Sequence, residues 1–418
     1  MTPRRPLIAL LTMSALLFAA CSSDGGSTAD TTAAPATTKP ATTEPATTDA
    51  PTTTAAATTT TMNIEVVANA YTEPGPYPVG VTTLTLAKGN QVEVWYPAAA
   101  DTVVGDVTYD VRDFTPEAIR GILTADVPAT YTFQGARDAT GADGAFPVVL
   151  FSHGYTGIRL QSTFLTAHLA SWGFVVASPD HPSRDLTNVL SGTASGDRAD
   201  SVDDLLQTLD LVIAEGASAT GALGGHVDDE HVVAVGHSAG GGTIVGAALD
   251  PRVDGYVSLA SGILLGDGDA TTTTVEAQQL PDKPSFFMAG AVDQVISATE
   301  RTKPSFEQVP TPSLLWILDS VGHNGFDDFC TFGNGTGIIG VAEASGLGGL
   351  LDAQPQLRTL GEDGCVPPAV PVTETFPAIQ HAVTAWIRAL VGTDAEPVGL
   401  GPEVAGAYPV AVTIEARP

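Results

Sequence analysis

The stretch His231-Val-Val-Ala-Val-Gly-His-Ser-Ala-Gly-Gly241 decides how this chain is read. A mostly β-branched, apolar run enters Gly236-His237-Ser238-Ala239-Gly240, which fits G-x-S-x-G. Gly241-Gly-Thr-Ile-Val-Gly-Ala-Ala-Leu249 then continues with helical character. A strand, a tight turn and a helix in that order hold the serine at a strained backbone position, with small residues where side chains would collide. The following helix aims its unpaired N–H groups at the place where a negative oxygen would develop. The pentapeptide alone is a weak signal in a chain with 44 Gly, and the strand and helix around it supply the missing context.

Working outward, Phe146-Pro-Val-Val-Leu-Phe-Ser152 is a continuous apolar run, as a buried parallel strand requires. A helical stripe over Leu160 to Trp172, stopped by Gly173, precedes a second such strand, Phe174 to Ser178. After a long loop, a helix over 201–214 leads into the elbow strand. Downstream, residues 253–259, 285–289 and 313–318 supply three more strands, with a short helix over 300–308 between the last two. Ile379, Val383, Trp386, Ile387 and Leu390 make one face of a closing helix that ends at Gly392. Val81 to Leu86 and Gln91 to Tyr96 alternate and are joined by Lys88-Gly-Asn90, the pattern of an antiparallel hairpin at the sheet edge. The expected fold class is α/β: a mostly parallel sheet, an antiparallel N-terminal edge and helices on both faces. Residues 98–142 read as polar and irregular, with one short helix over 115–123. The catalytic body is expected over 62–392, with 393–418 as a C-terminal tail.

A serine hydroxyl needs a base to take its proton and an acid to orient that base. In this architecture they follow the serine in the order acid, then histidine. Only His323 and His381 lie beyond Ser238. His381 falls inside the closing helix, so His323, directly after a strand, is the expected base. Asp293 follows the 285–289 strand and is the expected acid, with Asp282 and Asp319 as less well placed competitors. The oxyanion donors are expected to be the Ala239 N–H and, from His153-Gly-Tyr-Thr-Gly157, the Tyr155 N–H. His153 reads as a loop brace. His237 and His181 are expected to line the cleft, and His168, His226 and His231 to be structural or superficial. Asp267-Gly-Asp269 and Asp327-Asp328 lack clustered histidines and read as surface loops rather than a metal site.

The ends speak to location. Arg4 and Arg5, an apolar run from Leu7 to Ala20 and then Cys21 have the layout of a secretory signal, too short for a membrane span. Phe18-Ala-Ala-Cys21 resembles a bacterial lipobox, in which Cys21 becomes the lipidated N-terminus. Phe18 departs from the usual Leu. Residues 22–61 collapse to Thr, Ala and Pro, a disordered linker on the order of 35 Å r.m.s. long. If Cys21 is acylated, Cys330 and Cys365 remain as an even pair, and a disulfide between them is the economical reading in an oxidising compartment. The formal net charge of −30 disfavours nucleic acid as a partner.

Val92-Glu-Val-Trp-Tyr-Pro97, Phe151-Ser-His-Gly-Tyr-Thr-Gly157, Gly236-His-Ser-Ala-Gly-Gly241, Asp293, and His323 with Phe326 and Asp328 together resemble the α/β-hydrolase superfamily. The resemblance runs from about 75 to 391, in the branch of platelet-activating-factor acetylhydrolases, dienelactone-hydrolase-like esterases and cutinase-like polyesterases. It implies cleavage of carboxylic esters through an acyl-serine, with no metal or organic cofactor. Actinobacterial polyester hydrolases share the Gly-Tyr-Thr loop but usually carry Met after the serine and Trp on the loop after the next strand. Here those positions read Ala239 and 260–262, so the clamp for an aromatic ring is missing. The 179–198 loop and the insert 329–371 are expected over the cleft. The resulting expectation is a monomeric, outward-facing bacterial lipoprotein, held to the membrane by its lipid and acting on small or lipidic acyl esters. Three alternatives stand beside it: a polyester hydrolase, a phospholipase of the platelet-activating-factor type, and a non-catalytic ligand-binding lipoprotein on a hydrolase scaffold.

Overall fold

The computed structural model describes residues 63–124, 126–263 and 279–418. The expected signal, Cys21, the 22–61 linker and Asp267-Gly-Asp269 lie outside the described residues.

Six strands run parallel through the middle of the molecule, each carrying a buried, mostly apolar stretch. They are β5 (Phe146–Ser152), β6 (Val175–Pro179), β7 (Val227–His237), β8 (Gly255–Leu259), β9 (Ser285–Gly290) and β10 (Ser313–Leu318). Every residue of β6, β8 and β9 is buried, as expected of strands covered on both faces. The order across the sheet is β6-β5-β7-β8-β9-β10, so β5 and β7 are neighbours at the centre. The crossover helices Thr163–Ser171, Arg198–Gly216 and Ala239–Ala247 belong to the expected alternation. Arg198–Gly216 starts at a capping box between Asp197 and Asp200, and it buries Leu205, Leu209 and Val212. The closing helix Val372–Leu390 buries Ile379, Val383 and Ile387, as its spacing predicts.

The antiparallel edge is present and wider than expected. β1 (Val79–Thr85) pairs with β2 (Gln91–Pro97), and β2 pairs antiparallel with β6. Residues 98–142 are not irregular: β3 (Gly105–Asp110) and β4 (Thr130–Arg137) form a second hairpin whose β4 runs parallel to β1. Within it Val107, Tyr109 and Phe133 alternate with polar residues, a period too short to stand out in a polar context. The expected helix there shrinks to Glu117–Arg120. Nor does the body stop at 392. Residues beyond it return as β11 (Val412–Arg417), antiparallel to β10, where exposed Thr413 and half-buried Ile414 and Glu415 suit an edge strand.

The insert 329–371 folds into helices Gly337–Ala344, Gly348–Ala353 and Pro355–Glu362. A Cys330–Cys365 disulfide closes its base, with Cα atoms 5.0 Å apart. Among the described residues no helix is long and apolar enough to cross a membrane.

Candidate active site

Ser238 sits where β7 turns into the helix Ala239–Ala247, at φ 55° and ψ −122°. An L-residue held there costs on the order of 1–3 kcal/mol, which the packing around it must offset. That packing explains the glycines. A Cβ on Gly240 would lie 1.9 Å from the Ser152 carbonyl oxygen, and one on Gly236 would lie 2.4 Å from the Gly240 carbonyl oxygen. The Ser238 backbone is pinned on the other side as well: its N–H donates to Leu259 O at 2.9 Å, and its carbonyl accepts the Ser261 hydroxyl at 2.6 Å. Ser261 belongs to the stretch aligned with the position where polyester hydrolases usually carry Trp, and here it holds the backbone of Ser238.

The other two expected residues meet Ser238 from the loops after β9 and β10. His323 Nε2 is 2.9 Å from Ser238 Oγ, and His323 Nδ1 is 2.9 Å from Asp293 Oδ2. With Nδ1–H donating to the carboxylate, Nε2 is left as the acceptor facing the hydroxyl. The second Asp293 oxygen, Oδ1, takes the Val295 and Ile296 amides at 2.8 and 2.7 Å, which fixes the carboxylate in its turn. The histidine is 1% exposed and the Asp293 side chain is fully buried. The competitors Asp282 and Asp319 are exposed. His381 is buried in the closing helix against Gly399 O, as its sequence position suggests.

The His153–Gly157 loop lies directly on Ser238, since a Cβ on Gly154 would stand 3.1 Å from Ser238 Cβ. Tyr155 follows, and its ring is 43% exposed at the cleft mouth. Among the described residues neither the Tyr155 nor the Ala239 amide donates elsewhere.

Two braces escaped the sequence reading. Gln161 accepts the Gly154 amide at 3.0 Å through Oε1 and bonds His237 Nδ1 through Nε2. His237 Nε2 in turn lies 3.1 Å from the His323 carbonyl. This chain links the expected oxyanion loop to the loop that carries His323, and burial, with the neighbouring His323, holds His237 neutral by pushing its pKa well down. Arg184 is the other brace. Its guanidinium donates to Ser152 Oγ at 2.8 Å and His153 O at 3.1 Å, while its carbonyl accepts the Thr156 amide. Behind it, Ser152, His181 and Asp204 form a second relay with both links at 2.9 Å. All three are buried, so this relay supports the loop and meets no substrate. His181 therefore does not line the cleft, whereas His237 does. Gln161 stands out only as a polar residue within an apolar stripe, and Arg184 gives no signal at all.

Asp327 and Asp328 correct an expectation: both are fully buried rather than on a surface loop. Asp328 Oδ2 accepts the Phe164 amide at the start of the helix Thr163–Ser171, where the dipole favours a carboxylate, and Asp327 Oδ1 accepts the Phe329 amide. Burial pushes both carboxyl pKa values well up.

Over Ser238 opens a cleft with about 1070 Å³ of empty space. One wall comes from Val111, Ile119, Leu186 and Leu190. The other comes from the insert through Ile339, Leu347, Leu351 and Leu360. Both the insert and the 179–198 loop thus take the expected place, and no lysine or arginine is among the described lining residues.

Residues 129–343 match the family model described as PETase: PET hydrolase-like. Cutinase est2 of Thermobifida alba is 25% identical over 186 residues, 44% of this chain and 54% of the relative, so the match spans about half the relative's length. A ferulic acid esterase from Streptomyces cinnamoneus superposes with a TM-score of 0.57 at 19% identity, covering 82% of this chain and 98% of that one; this likeness carries the fold alone. The fold is that of an α/β-hydrolase, and because the family model spans just over half of the sequence, the chain belongs to the PET hydrolase-like family.

Proposed function

We propose that this protein is a serine hydrolase that cleaves carboxylic esters through an acyl-serine intermediate. The observation that carries the reading is the chain Ser238–His323–Asp293, with both links at 2.9 Å, at the floor of an apolar cleft. Ser238 Oγ attacks the ester carbonyl while His323 Nε2 takes its proton, and Asp293 stabilises the resulting imidazolium. The Tyr155 and Ala239 amides hold the oxyanion, each worth about 3–4 kcal/mol. The same proton then passes to the leaving alcohol, and a water activated by His323 releases the acid.

The aliphatic walls favour a small or lipidic acyl ester. Among the described residues the cleft has no lining lysine or arginine to pair with a phosphate or a free carboxylate, which disfavours a phospholipid headgroup. Family membership and the cutinase relative favour a second reading, polyester hydrolysis. The protein is further proposed to work outside the cytoplasm, tethered through a lipidated Cys21 and the 22–61 linker, with the body beginning near 62.

The test is hydrolysis of p-nitrophenyl esters from acetate to palmitate, and of an aromatic polyester film, by the protein and its Ser238→Ala variant. Ester turnover lost in the variant supports the serine mechanism, and the ladder or the film assigns the substrate class. Equal rates for both proteins on every substrate would sink it and leave a ligand-binding lipoprotein as the working reading.

A further inference from the structure

We propose that Asp363, carried by the disulfide-closed insert, is a positioning residue of the Ser238–His323–Asp293 relay, joining the acid turn to the base loop and adding a second carboxylate beside the imidazole. This rests on the reading of that relay as catalytic.

Asp363 is 6% exposed. Its Oδ2 accepts the Gln294 amide at 2.7 Å, while Asp293 takes the next two amides of the same turn. The two carboxylates therefore share one turn, residue by residue. On the base side the Asp363 carbonyl accepts the Asn324 amide at 2.8 Å, and Asn324 Nδ2 donates to Leu360 O at 2.7 Å. Contact is tight enough to require glycines: a Cβ on Gly322 would stand 2.5 Å from Asp363 Oδ1, and one on Gly364 would stand 2.8 Å from the Asn324 nitrogen. The Cys330–Cys365 bond fixes this segment one residue further on. The insert that walls the cleft thus also holds the loop that carries the base.

The titratable groups facing this pair are few. Asp293 and Ser238 touch the His323 ring, His237 lies with its ring centre 4.9 Å away, and Asp327 lies beyond, 3.8 Å from His237 Nδ1. Next to Asp363, Glu362 is engaged by Arg358. Burial raises the Asp363 pKa, and repulsion from Asp293 adds to it, while the His323 side chain and amide act in the opposite direction.

The experiment compares Asp363→Asn and Asp363→Ala with the wild type on p-nitrophenyl butyrate, measuring kcat, KM and the pH profile of kcat/KM, with melting curves to establish folding and Ser238→Ala as the blank. Removing the charge destabilises the imidazolium, so the acid limb in Asp363→Asn moves to lower pH, by about half a unit for a partly screened charge. Asp363→Ala also frees the acid turn at Gln294, while the Asn324 amide keeps its bond to the residue-363 carbonyl, and lowers kcat by about 10–100-fold with KM held within about threefold; the asparagine recovers part of that loss. If Asp363→Asn keeps the wild-type acid limb and kcat, the proposal is overturned. It is equally overturned if Asp363→Ala raises KM alone, which would make the residue part of the cleft wall. Should Ser238→Ala retain wild-type turnover, the relay itself fails, a result distinguishable from both.

Discussion

Gly240 packs so closely on Ser152 that a β carbon would come within 1.9 Å of the Ser152 carbonyl oxygen. The end of β5, which launches the proposed oxyanion loop, and the first turn after Ser238 are thereby one structural unit. Gly240→Ala must separate them. The expected outcome is a loss of about 1–3 kcal/mol or more in stability by denaturant titration, with at least a 100-fold loss of ester turnover in whatever folds.

Among the described residues, Gln161 is the one side chain that bonds both the Gly154 amide and His237. Gln161→Leu keeps its approximate volume but leaves those buried groups unpaired, which costs about 1–3 kcal/mol. Because the two loops it links hold the oxyanion site and the base, kcat is expected to fall about 10–100-fold with little change in KM. A change confined to KM in steady-state kinetics would contradict this.

Leu351 is 8% exposed and projects from the insert into the cleft. A larger ring there shortens the space without touching Ser238. Leu351→Trp is expected to reduce palmitate ester hydrolysis by about 10–100-fold while leaving acetate hydrolysis within about twofold, the range that a shape change in an apolar pocket commands. Parallel loss along the whole p-nitrophenyl ladder would show that the chain does not lie against this wall.

Burial pushes His168 and His381 down to about 4. Their folded values lie below the unfolded value near 6.5, so the unfolded chain binds more protons between those limits. Stability from these neutral histidines is complete above about pH 6.5 and is lost as pH falls toward 4, by at most about 3 kcal/mol for each. Melting temperature against pH should drop across that window. Its slope should flatten in His168→Gln and His381→Gln; an unchanged slope in both would refute the assignment.

The sequence reading reached furthest where a local pattern has one structural meaning. Continuous apolar runs such as 146–152 and 285–289 read as buried strands by their length and their place in the alternation, and Gly236 to Gly241 between a strand and a helix leaves little freedom for Ser238. His323 and Asp293 followed from their order and from strand ends, and both stand 2.9 Å from their partners in the relay. Weak patterns went unread. β3, β4 and β11 alternate over only a few residues on half-exposed edges, and Asp327-Asp328 looks like any charged turn until the Phe164 and Phe329 amides are brought to it.

By itself, then, the sequence determined the parallel core and the strand–turn–helix around Ser238, because each depends on neighbours in the chain; it singled out His323 and Asp293 by their order, and it pointed to Cys330 and Cys365 as a pair only on the condition that Cys21 is acylated, a pair the structure joins. Only the tertiary structure decided what supports them. Gln161 meets His237 across 76 positions and Asp363 meets Gln294 across 69. A side chain's hydrogen-bond partner at such a distance is set by how loops converge on the end of the sheet, and no periodicity or spacing encodes that convergence.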